Sequence, residues 1–167
     1  MAEFFDPDLM HSSIEYADKD DKCCIVGKAN GNAYLNKIVS SGKHHWRFKL
    51  VHCYNSPEIG IANNDDTNKD AGIFTDDGSG YAYLTAYEVI TDEDGTTDQD
   101  QHYGEECREG DIIDMYVDFE KFQIRYSVND KDYGVAFTIK PGKYRAAVSL
   151  QSSPMSTKLR LEMYEQL

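Results

Sequence analysis

Hydrophobic and polar residues alternate with a period of two along much of the chain. The clearest runs occupy residues 46–50, 113–119, 124–128 and 159–161. In the first run Trp46, Phe48 and Leu50 are separated by the basic residues Arg47 and Lys49. Because successive side chains of a strand point to opposite faces, this alternation predicts antiparallel strands that bury one face.

Turn-forming residues interrupt these runs at short intervals. They form the groups Asn30-Gly31-Asn32, Ser41-Gly42, Glu109-Gly110, Asn129-Asp130 and Pro141-Gly142. No stretch keeps a helical period for longer than about two turns. Short strands divided by turns predict an all-β sandwich or barrel, whose longest polar interruptions are residues 63–80 and 92–102. Long loops inserted into a sandwich are the usual place for binding sites.

The chain has 167 residues, a length typical of one domain with a sizeable core. It carries 30 acidic and 17 basic side chains, for a net charge of −13. This charge opposes binding to nucleic-acid phosphates and to anionic membrane surfaces. No apolar run approaches the ~18 residues of a membrane-spanning helix. We therefore expect a monomeric domain with neither nucleic-acid nor membrane partners.

The N-terminal residues and the cysteines favour an intracellular protein. Residues 1–10 contain Glu3, Asp6 and Asp8 where a signal peptide would have a basic start and an apolar stretch. The four cysteines form no C-x-x-C pair, which argues against a zinc ribbon or a thioredoxin-like motif. Reduced and mostly buried cysteines are the simpler interpretation. We expect a cytoplasmic or nuclear location.

The negative charge is concentrated in the middle of the chain. Residues 65–118 hold 17 acidic side chains against Lys69 and Arg108, whereas residues 1–64 and 119–167 are close to neutral. Acidic loops that only keep the protein solvated account for this pattern. An acidic surface that steers a basic partner towards the protein is the functional alternative.

Six short sequence motifs follow one another between residues 41 and 150. They are residues 41–50 (SGKHHWRFKL), 59–62 (IGIA), 103–104 (YG) with 110–113 (GDII), 124–129 (IRYSVN), 134–137 (GVAF) and 144–149 (YRAAVS). In this order and spacing they resemble the landmarks of SPRY (B30.2-like) domains. The resemblance implies an all-β, concanavalin-like twisted sandwich of two antiparallel sheets. It places N-terminal strands at about 12–40 and a C-terminal strand at about 157–164, within a single domain.

Three residues depart from the family's pattern. Arg47 replaces the usual Glu after the tryptophan, Asp114 replaces a Gly, and Asp130 replaces the Gly of an Asn-Gly turn. Asp can adopt the left-handed turn conformation at position 130. Asp114 has to reach solvent or a hydrogen-bond partner, because a buried carboxylate without one is costly.

The resemblance also implies a non-catalytic module that recognises a short segment of another protein with loops at one end of the sandwich. Carried over position by position, the implied partner-binding residues are Asn63, Tyr81, Leu84, Gln151, Ser152 and Ser153. It implies no cofactor. The family often has a large apolar residue in the last segment, which residues 151–153 lack.

The tyrosines near these positions are suitable binding residues on physical grounds as well. Tyr81, Tyr83 and Tyr87 follow a glycine-containing loop, and tyrosines at loop edges offer large contact area at low entropy cost. The alternative is that two of the three simply pack in the core. A period of two places Tyr81 and Leu84 on opposite faces, so both can line one pocket only if the strand bends or bulges between them.

A calcium loop is a weaker possibility. Asp66, Asn68, Asp70 and Asp77 stand at positions 1, 3, 5 and 12 of a candidate loop of oxygen ligands. The glycine at position 72 is one residue late for this motif, and an Asp replaces the final Glu. A solvated acidic loop explains the same residues.

Motifs of known catalytic sites are absent from the sequence. It has neither a Gly-x-Ser-x-Gly elbow nor a Glu-x-x-x-Glu pair on one alternating strand face. His44 and His45 are adjacent and should point to opposite sides of a strand. Cys107 and His102 could form a dyad, but nothing in the sequence orients them. We therefore expect a protein-interaction module and no enzyme. The alternative is a carbohydrate-binding sandwich, with or without a dependence on calcium. A further possibility is a domain detached from a larger ubiquitin-ligase adaptor, although the chain has no RING cysteine pattern.

Overall fold

The computed structural model describes residues 2–76, 80–87, 89–91, 102–151 and 155–167, apart from the side chains of Asp66 and Val89. Across these ranges the regular secondary structure consists of β-strands and one short 3-10 helix at Asn64–Asp66, joined by turns and loops. The strands are β1 (Phe5–Met10), β2 (Ile14–Asp18), β3 (Asp21–Gly27), β4 (Gly31–Leu35), β5 (Lys43–His52), β6 (Glu58–Asn63), β7 (Gly80–Leu84), β8 (Val89–Thr91), β9 (Ile112–Asp118), β10 (Gln123–Val128), β11 (Lys131–Thr138), β12 (Tyr144–Leu150) and β13 (Thr157–Gln166). None of the described residues forms a helix long and apolar enough to span a bilayer.

The strands form two antiparallel sheets. A six-stranded sheet has the order β1-β4-β12-β6-β7-β8, and a seven-stranded sheet has the order β11-β10-β9-β5-β13-β3-β2. Most neighbours in space are far apart in sequence; β12 lies between β4 and β6, and β13 between β5 and β3. The sandwich of two antiparallel sheets predicted from the sequence is confirmed.

The core fills the space between the sheets and follows the period-two pattern. Trp46, Phe48 and Leu50 are fully buried on the inner face of β5. Opposite them on the next strand, Met115 pairs with Trp46 and Ile113 with Phe48. One continuous apolar cluster joins residues of both sheets. Burial of these large side chains is the main favourable contribution to folding.

A second apolar cluster lies on the outer face of the six-stranded sheet. Phe74 comes from the β6–β7 connection and packs on the floor formed by Tyr34, Ala62, Ala82 and Ala147. The small alanine side chains leave room for its ring, which is buried. The connection therefore crosses the sheet as a packed cover.

Hydrogen bonds fix this cover to the sheet. Asn32 on β4 donates from Nδ2 to the carbonyls of Asn68 (3.0 Å) and Ala71 (3.1 Å). Ser149 on β12 accepts from the backbone N–H of Phe74 at 3.0 Å. We use the name cover segment for residues 64–76. The sequence predicted this stretch only as a polar interruption, because its single aromatic residue gives no periodic signal.

Two glycines of the family-like motifs have steric roles. A Cβ at Gly60 would collide with the backbone carbonyl of Tyr81 on the neighbouring strand β7. Gly104 adopts a left-handed backbone conformation with a φ of +76°, and a Cβ there would also strike the Tyr83 ring. Residues with side chains are disfavoured at both positions, at Gly104 also by its backbone conformation.

Candidate functional site

The predicted binding residues lie at two ends of the sandwich. Strand β6 runs from Glu58, which is opposite Ser149, to Asn63, which is opposite Tyr144. We call these the Gln151 end and the Asn63 end, since Gln151 follows β12 directly. Five residues of strand separate them, or about 16 Å. Asn63 therefore lies apart from Leu84 and Gln151, with the cover segment between.

Asn63 stabilises the turn that begins the cover segment. Its Oδ1 accepts a hydrogen bond from the backbone N–H of Asp65 at 3.0 Å, as an N-cap residue does. Its neighbour Asn64 accepts from Arg145 Nε at 2.9 Å. This bond from Asp65 to the side-chain oxygen gives Asn63 a part in holding the turn.

Tyr81 and Leu84 point to opposite faces of β7. The register between β6 and β7 runs without interruption from Gly80 to Leu84, so no bulge rotates one side chain towards the other. Tyr81 faces the core, its ring centroid 5.3 Å from that of Phe137, and its hydroxyl accepts from the Lys140 N–H at 3.1 Å. Leu84 is half-buried on the outer face. The two side chains cannot line one pocket.

Leu84 and Gln151 lie at the same end, on either side of Glu58. Glu58 is paired with Leu84 across β6 and β7. Gln151 Nε2 donates to Glu58 Oε1 at 2.6 Å, and Thr157 Oγ1 donates to the Gln151 carbonyl at 2.9 Å. Two of the predicted residues are thus neighbours of Glu58, which the sequence had not singled out: Gln151 through the carboxyl group and Leu84 through strand pairing. Ser152 and Ser153 lie outside the described residues.

The Glu58 carboxyl group is buried and incompletely paired. Only 2% of the residue is exposed, and its Oε2 has no hydrogen-bond partner among the described residues. Burial raises the pKa of Glu58 to about 8, and the nearby Asp76 raises it further while Gln151 acts in the opposite direction. At neutral pH the group is therefore mostly protonated, and it can donate as well as accept a hydrogen bond.

Three loops at the Gln151 end are tied together by buried polar groups. Thr85 Oγ1 donates to the Pro57 carbonyl at 2.6 Å, and the Cys107 N–H donates to the Thr85 carbonyl at 2.8 Å. The Ser56 hydroxyl connects the first loop to the third by donating a hydrogen bond to the Cys107 carbonyl. Thr85, Cys107 and Ser56 are all buried. The loops 53–57, 85–87 and 105–109 consequently form one preorganised surface, which we call the three-loop surface.

Two exposed tyrosines stand on the three-loop surface. Tyr54 is 67% exposed and Tyr87 is 58% exposed, and they are the exposed aromatic residues of the described chain. Of the three tyrosines singled out in the sequence, Tyr81 and Tyr83 pack in the core. Only Tyr87 is available to a partner. Tyr54 was missed because a lone aromatic residue in a loop carries no periodic signal.

The same surface is acidic. Residues 105–111 contain four acidic side chains and one basic side chain. The acidic residues are Glu105, Glu106, Glu109 and Asp111, and the basic residue is Arg108. Arg108 lies 3.8 Å from Glu106, and Glu109 contacts His52. Part of the strongly acidic middle of the chain is therefore placed on a loop that is hydrogen-bonded to the loop of Tyr87. Residues 92–101, which hold more of that charge, lie outside the described part of the chain.

The candidate calcium residues take part in the packing of the cover segment. Asn68 accepts from the Asp70 N–H at 3.0 Å through Oδ1, and its carbonyl accepts from the Tyr34 hydroxyl at 3.1 Å. Asp70 lies 3.9 Å from His11. The side chain of Asp66 and all of Asp77 lie outside the described residues. Within the part of the chain that is described, no cluster of three His, Cys, Asp or Glu side chains has the geometry of a metal site.

The histidines and Cys107 have structural surroundings. His44 stacks on Trp46 on the inner side of β5, whereas His45 faces outward, as the sequence predicted. Cys107 is buried, and burial raises the pKa of its thiol to about 12, so it is protonated at neutral pH. His102 is exposed. A protonated, buried thiol is a poor nucleophile.

A polar network lies on the outer face of the seven-stranded sheet. Asp114 on β9 is 1% exposed and accepts from Arg47 Nε at 2.8 Å and from Arg47 Nη2 at 3.2 Å. His45 Nε2 is 2.6 Å from the same carboxylate, and His45 Nδ1 is 3.0 Å from Glu165. The predicted need of Asp114 for partners is met by two neighbours on β5.

Comparison with known families and structures agrees with this architecture. The model of the SPRY domain family matches residues 14–164. The crystal structure of the SPRY domain of human HERC1 superposes with a TM-score of 0.71 at 17% identity, covering 95% of this chain and 99% of that one. The crystal structure of the TRIM65 PSpry domain gives a TM-score of 0.71 at 10% identity, covering 96% and 90%. No curated protein sequence matches the chain.

Proposed function

The chain belongs to the SPRY domain family, and from this premise we propose that it recognises a short segment of a partner protein at its Gln151 end. SPRY domains are generally protein–protein interaction modules. The interaction role at family level is therefore established, and the position of the contact surface is our proposal.

The observation that carries the proposal is the convergence of Leu84, Gln151 and Tyr87 at one end. Leu84 and Gln151 flank Glu58, and the Tyr87 N–H donates to the Leu84 carbonyl at 3.0 Å, which holds the turn that presents the Tyr87 side chain. An exposed aromatic ring and a half-buried leucine provide apolar contact area, and the Gln151 amide provides polar contacts. Loops already held in place lose little entropy when a ligand binds.

We propose a non-catalytic mode of action. The Cys107 thiol is buried and protonated, which removes the nucleophile of the one dyad that the sequence offered. His45 is held by Asp114 and Glu165 on the outer face of the other sheet. On this proposal these groups have structural roles.

We also propose that the protein works in a reducing compartment such as the cytoplasm or the nucleus. All four cysteines are free thiols, and Cys24 and Cys107 are buried. Free, buried thiols are typical of proteins that need no disulfide for stability.

Affinity capture with matched variants tests the proposed surface. The full chain and its Leu84→Ala, Gln151→Ala and Ile38→Ala variants are used as bait, and bound proteins are identified by mass spectrometry. Ile38 is exposed at the Asn63 end and serves as the control. We expect one partner to be retained by wild type and Ile38→Ala and reduced by the other two variants. Equal capture by all four baits contradicts the proposal.

A further inference from the structure

We propose that the three-loop surface holds a Lys or Arg side chain of the partner segment against Tyr54 and Tyr87. This inference rests on the proposed function and specifies the chemistry of the partner. Three independent properties of the surface lead to it: ring exposure, preorganisation and charge.

The two rings are open to a ligand. Tyr54 and Tyr87 expose more than half of their surface, while Tyr81, Tyr83, Tyr103 and the other core tyrosines are buried. An exposed tyrosine presents an electron-rich face that attracts a cationic side chain. The protein already contains such pairs elsewhere, with Lys37 Nζ 4.4 Å from the ring centroid of Tyr164.

The loops that carry the rings are fixed before binding. The loop of Tyr54 is joined to that of Tyr87 by the hydrogen bond from Thr85 to Pro57. The acidic loop is joined to the loop of Tyr87 through the bond from Cys107 to Thr85. A side chain entering this surface meets groups whose backbone is already ordered, which favours affinity.

The negative charge of the third loop favours a positively charged ligand. Glu105, Glu106 and Glu109 lie on the third loop, with Arg108 as the basic residue within it. Carboxylates on the same surface as exposed aromatic rings favour a cation and repel an acidic peptide. The long-range field also raises the association rate of a basic partner, most strongly at low salt.

The probe is a phage-displayed library of random octapeptides, selected on the immobilised full chain. The enriched consensus is synthesised, and its affinity is measured by fluorescence anisotropy at two salt concentrations. We expect a consensus with a fixed Lys or Arg. Tyr54→Ala and Tyr87→Ala should each lower the affinity about five- to thirtyfold, and Tyr→Phe at either position should retain it within about threefold. Ile38→Ala is the matched control, because it is also exposed but lies at the other end.

A peptide with norleucine at the fixed cationic position provides the decisive comparison. It should bind more weakly to the wild type, and the Tyr54→Ala and Tyr87→Ala variants should no longer distinguish it from the cationic peptide. Glu106→Gln with Glu109→Gln should flatten the salt dependence. Thermal melting of each variant verifies that these exposed substitutions leave the fold intact.

The outcomes separate the inference from the proposed function. The inference is overturned if the consensus is acidic or only apolar, or if the tyrosine variants bind like the wild type. The proposed function still stands in that case, provided that Leu84→Ala weakens the binding. Self-association through the two tyrosines, seen by sedimentation, overturns the inference as well. If no peptide prefers the folded chain to heat-denatured chain, both fail.

Discussion

Arg47 and Asp114 are directly opposed on β5 and β9 and form a two-point ion pair through Nε and Nη2. Both are departures from the sequence pattern of the family, which has Glu and Gly at these positions. The structure shows that each accommodates the other, since the guanidinium satisfies a carboxylate that is almost fully buried. His45 completes the contacts of that carboxylate.

Breaking the ion pair between Arg47 and Asp114 should lower the free energy of unfolding. Restoring the Glu and Gly that the family has at these positions should recover part of that loss. Arg47→Glu leaves Asp114 buried beside a new negative charge, so we expect a loss of about 3–5 kcal/mol in the free energy of unfolding. The double variant Arg47→Glu/Asp114→Gly should lose at least about 1 kcal/mol less than the sum of its single variants. Urea denaturation of the four proteins measures this coupling. Additive losses would contradict it.

Stability should fall as the pH rises from about 4.5 to about 8. Burial raises the pKa of Glu58 from 4.5 to about 8 and that of Glu3 to about 7. Across this interval the unfolded chain releases these protons while the folded chain keeps them, so the unfolded state gains relative stability. A tenfold difference in proton affinity between the two states corresponds to about 1.4 kcal/mol. Thermal melting against pH shows the slope, and Glu58→Gln should make it shallower.

A loss of stability is expected at the acid extreme as well. The pKa of Asp21 is lowered chiefly by its hydrogen bond with Arg160. The folded chain then holds fewer protons than the unfolded chain just below the ordinary pKa of 3.8, so stability is lost as the pH falls through that region. Arg160→Gln should weaken this acid limb and leave the slope above pH 4.5 unchanged. A melting temperature that does not fall below pH 4 would contradict the assignment to Asp21, and one that rises steadily to pH 8 would contradict the assignment to Glu58 and Glu3.

Phe74→Ala should loosen the cover segment. The ring is buried against Tyr34 and three alanines, and its removal leaves a cavity, with an expected cost of about 3–5 kcal/mol in unfolding free energy. Limited proteolysis should then cleave within residues 64–76, where we expect the wild type to resist cleavage. Ile38→Ala, at a residue 44% exposed, should change stability by no more than about 0.5 kcal/mol. An unaltered cleavage pattern would show that the ring does not hold the segment.

Tyr81→Ala and Tyr87→Ala should have different effects on stability. Tyr81 packs between Phe137 and Tyr144, so its truncation should cost about 3–5 kcal/mol. Tyr87 is exposed, so its truncation should leave the unfolding free energy within about 0.5 kcal/mol of the wild type. Guanidinium denaturation of both variants makes the comparison. Similar losses would mean that Tyr87 packs against the protein.

Thiol alkylation should divide the four cysteines into two pairs. Cys24 and Cys107 are buried, whereas Cys23 and Cys53 are partly exposed. Burial also raises the pKa of each thiol, most clearly that of Cys107. At pH 8 we expect iodoacetamide to modify Cys23 and Cys53 first and to reach the other two only after denaturation. Rapid labelling of Cys107 in the native protein, detected by peptide mass spectrometry, would contradict this prediction and indicate a reactive thiol.

The sequence predicted the strands where one face is buried and the other is solvated. Residues 113–119 and 124–128 became β9 and β10 in the expected places. Strand β1 was not predicted, because Asp6, Pro7 and Asp8 are unusual in strands. It is tolerated as an edge strand, which pairs on one side only.

The candidate site was harder to predict because it depends on register. The motif positions placed Asn63, Tyr81, Leu84 and Gln151 together, but strand pairing decides which end and which face each occupies. Gln151 meets Glu58 across 93 residues of sequence, a contact that exists only when β12 lies beside β6. The positions of Leu84 and Gln151 at one end remained compatible with the prediction. Asn63 lies at the other end of the sandwich, and Tyr81 faces the core.

The order of the strands has a consequence for synthesis on the ribosome. Strands β2 and β3 enter the seven-stranded sheet only by pairing with β13, and β1 and β4 join the six-stranded sheet only through β12. The first quarter of the chain therefore emerges with unpaired edges and must wait for the last two strands before it can be enclosed. Folding of this sandwich therefore cannot be completed before β12 and β13 have been synthesised, and the N-terminal strands lack these pairing partners until then.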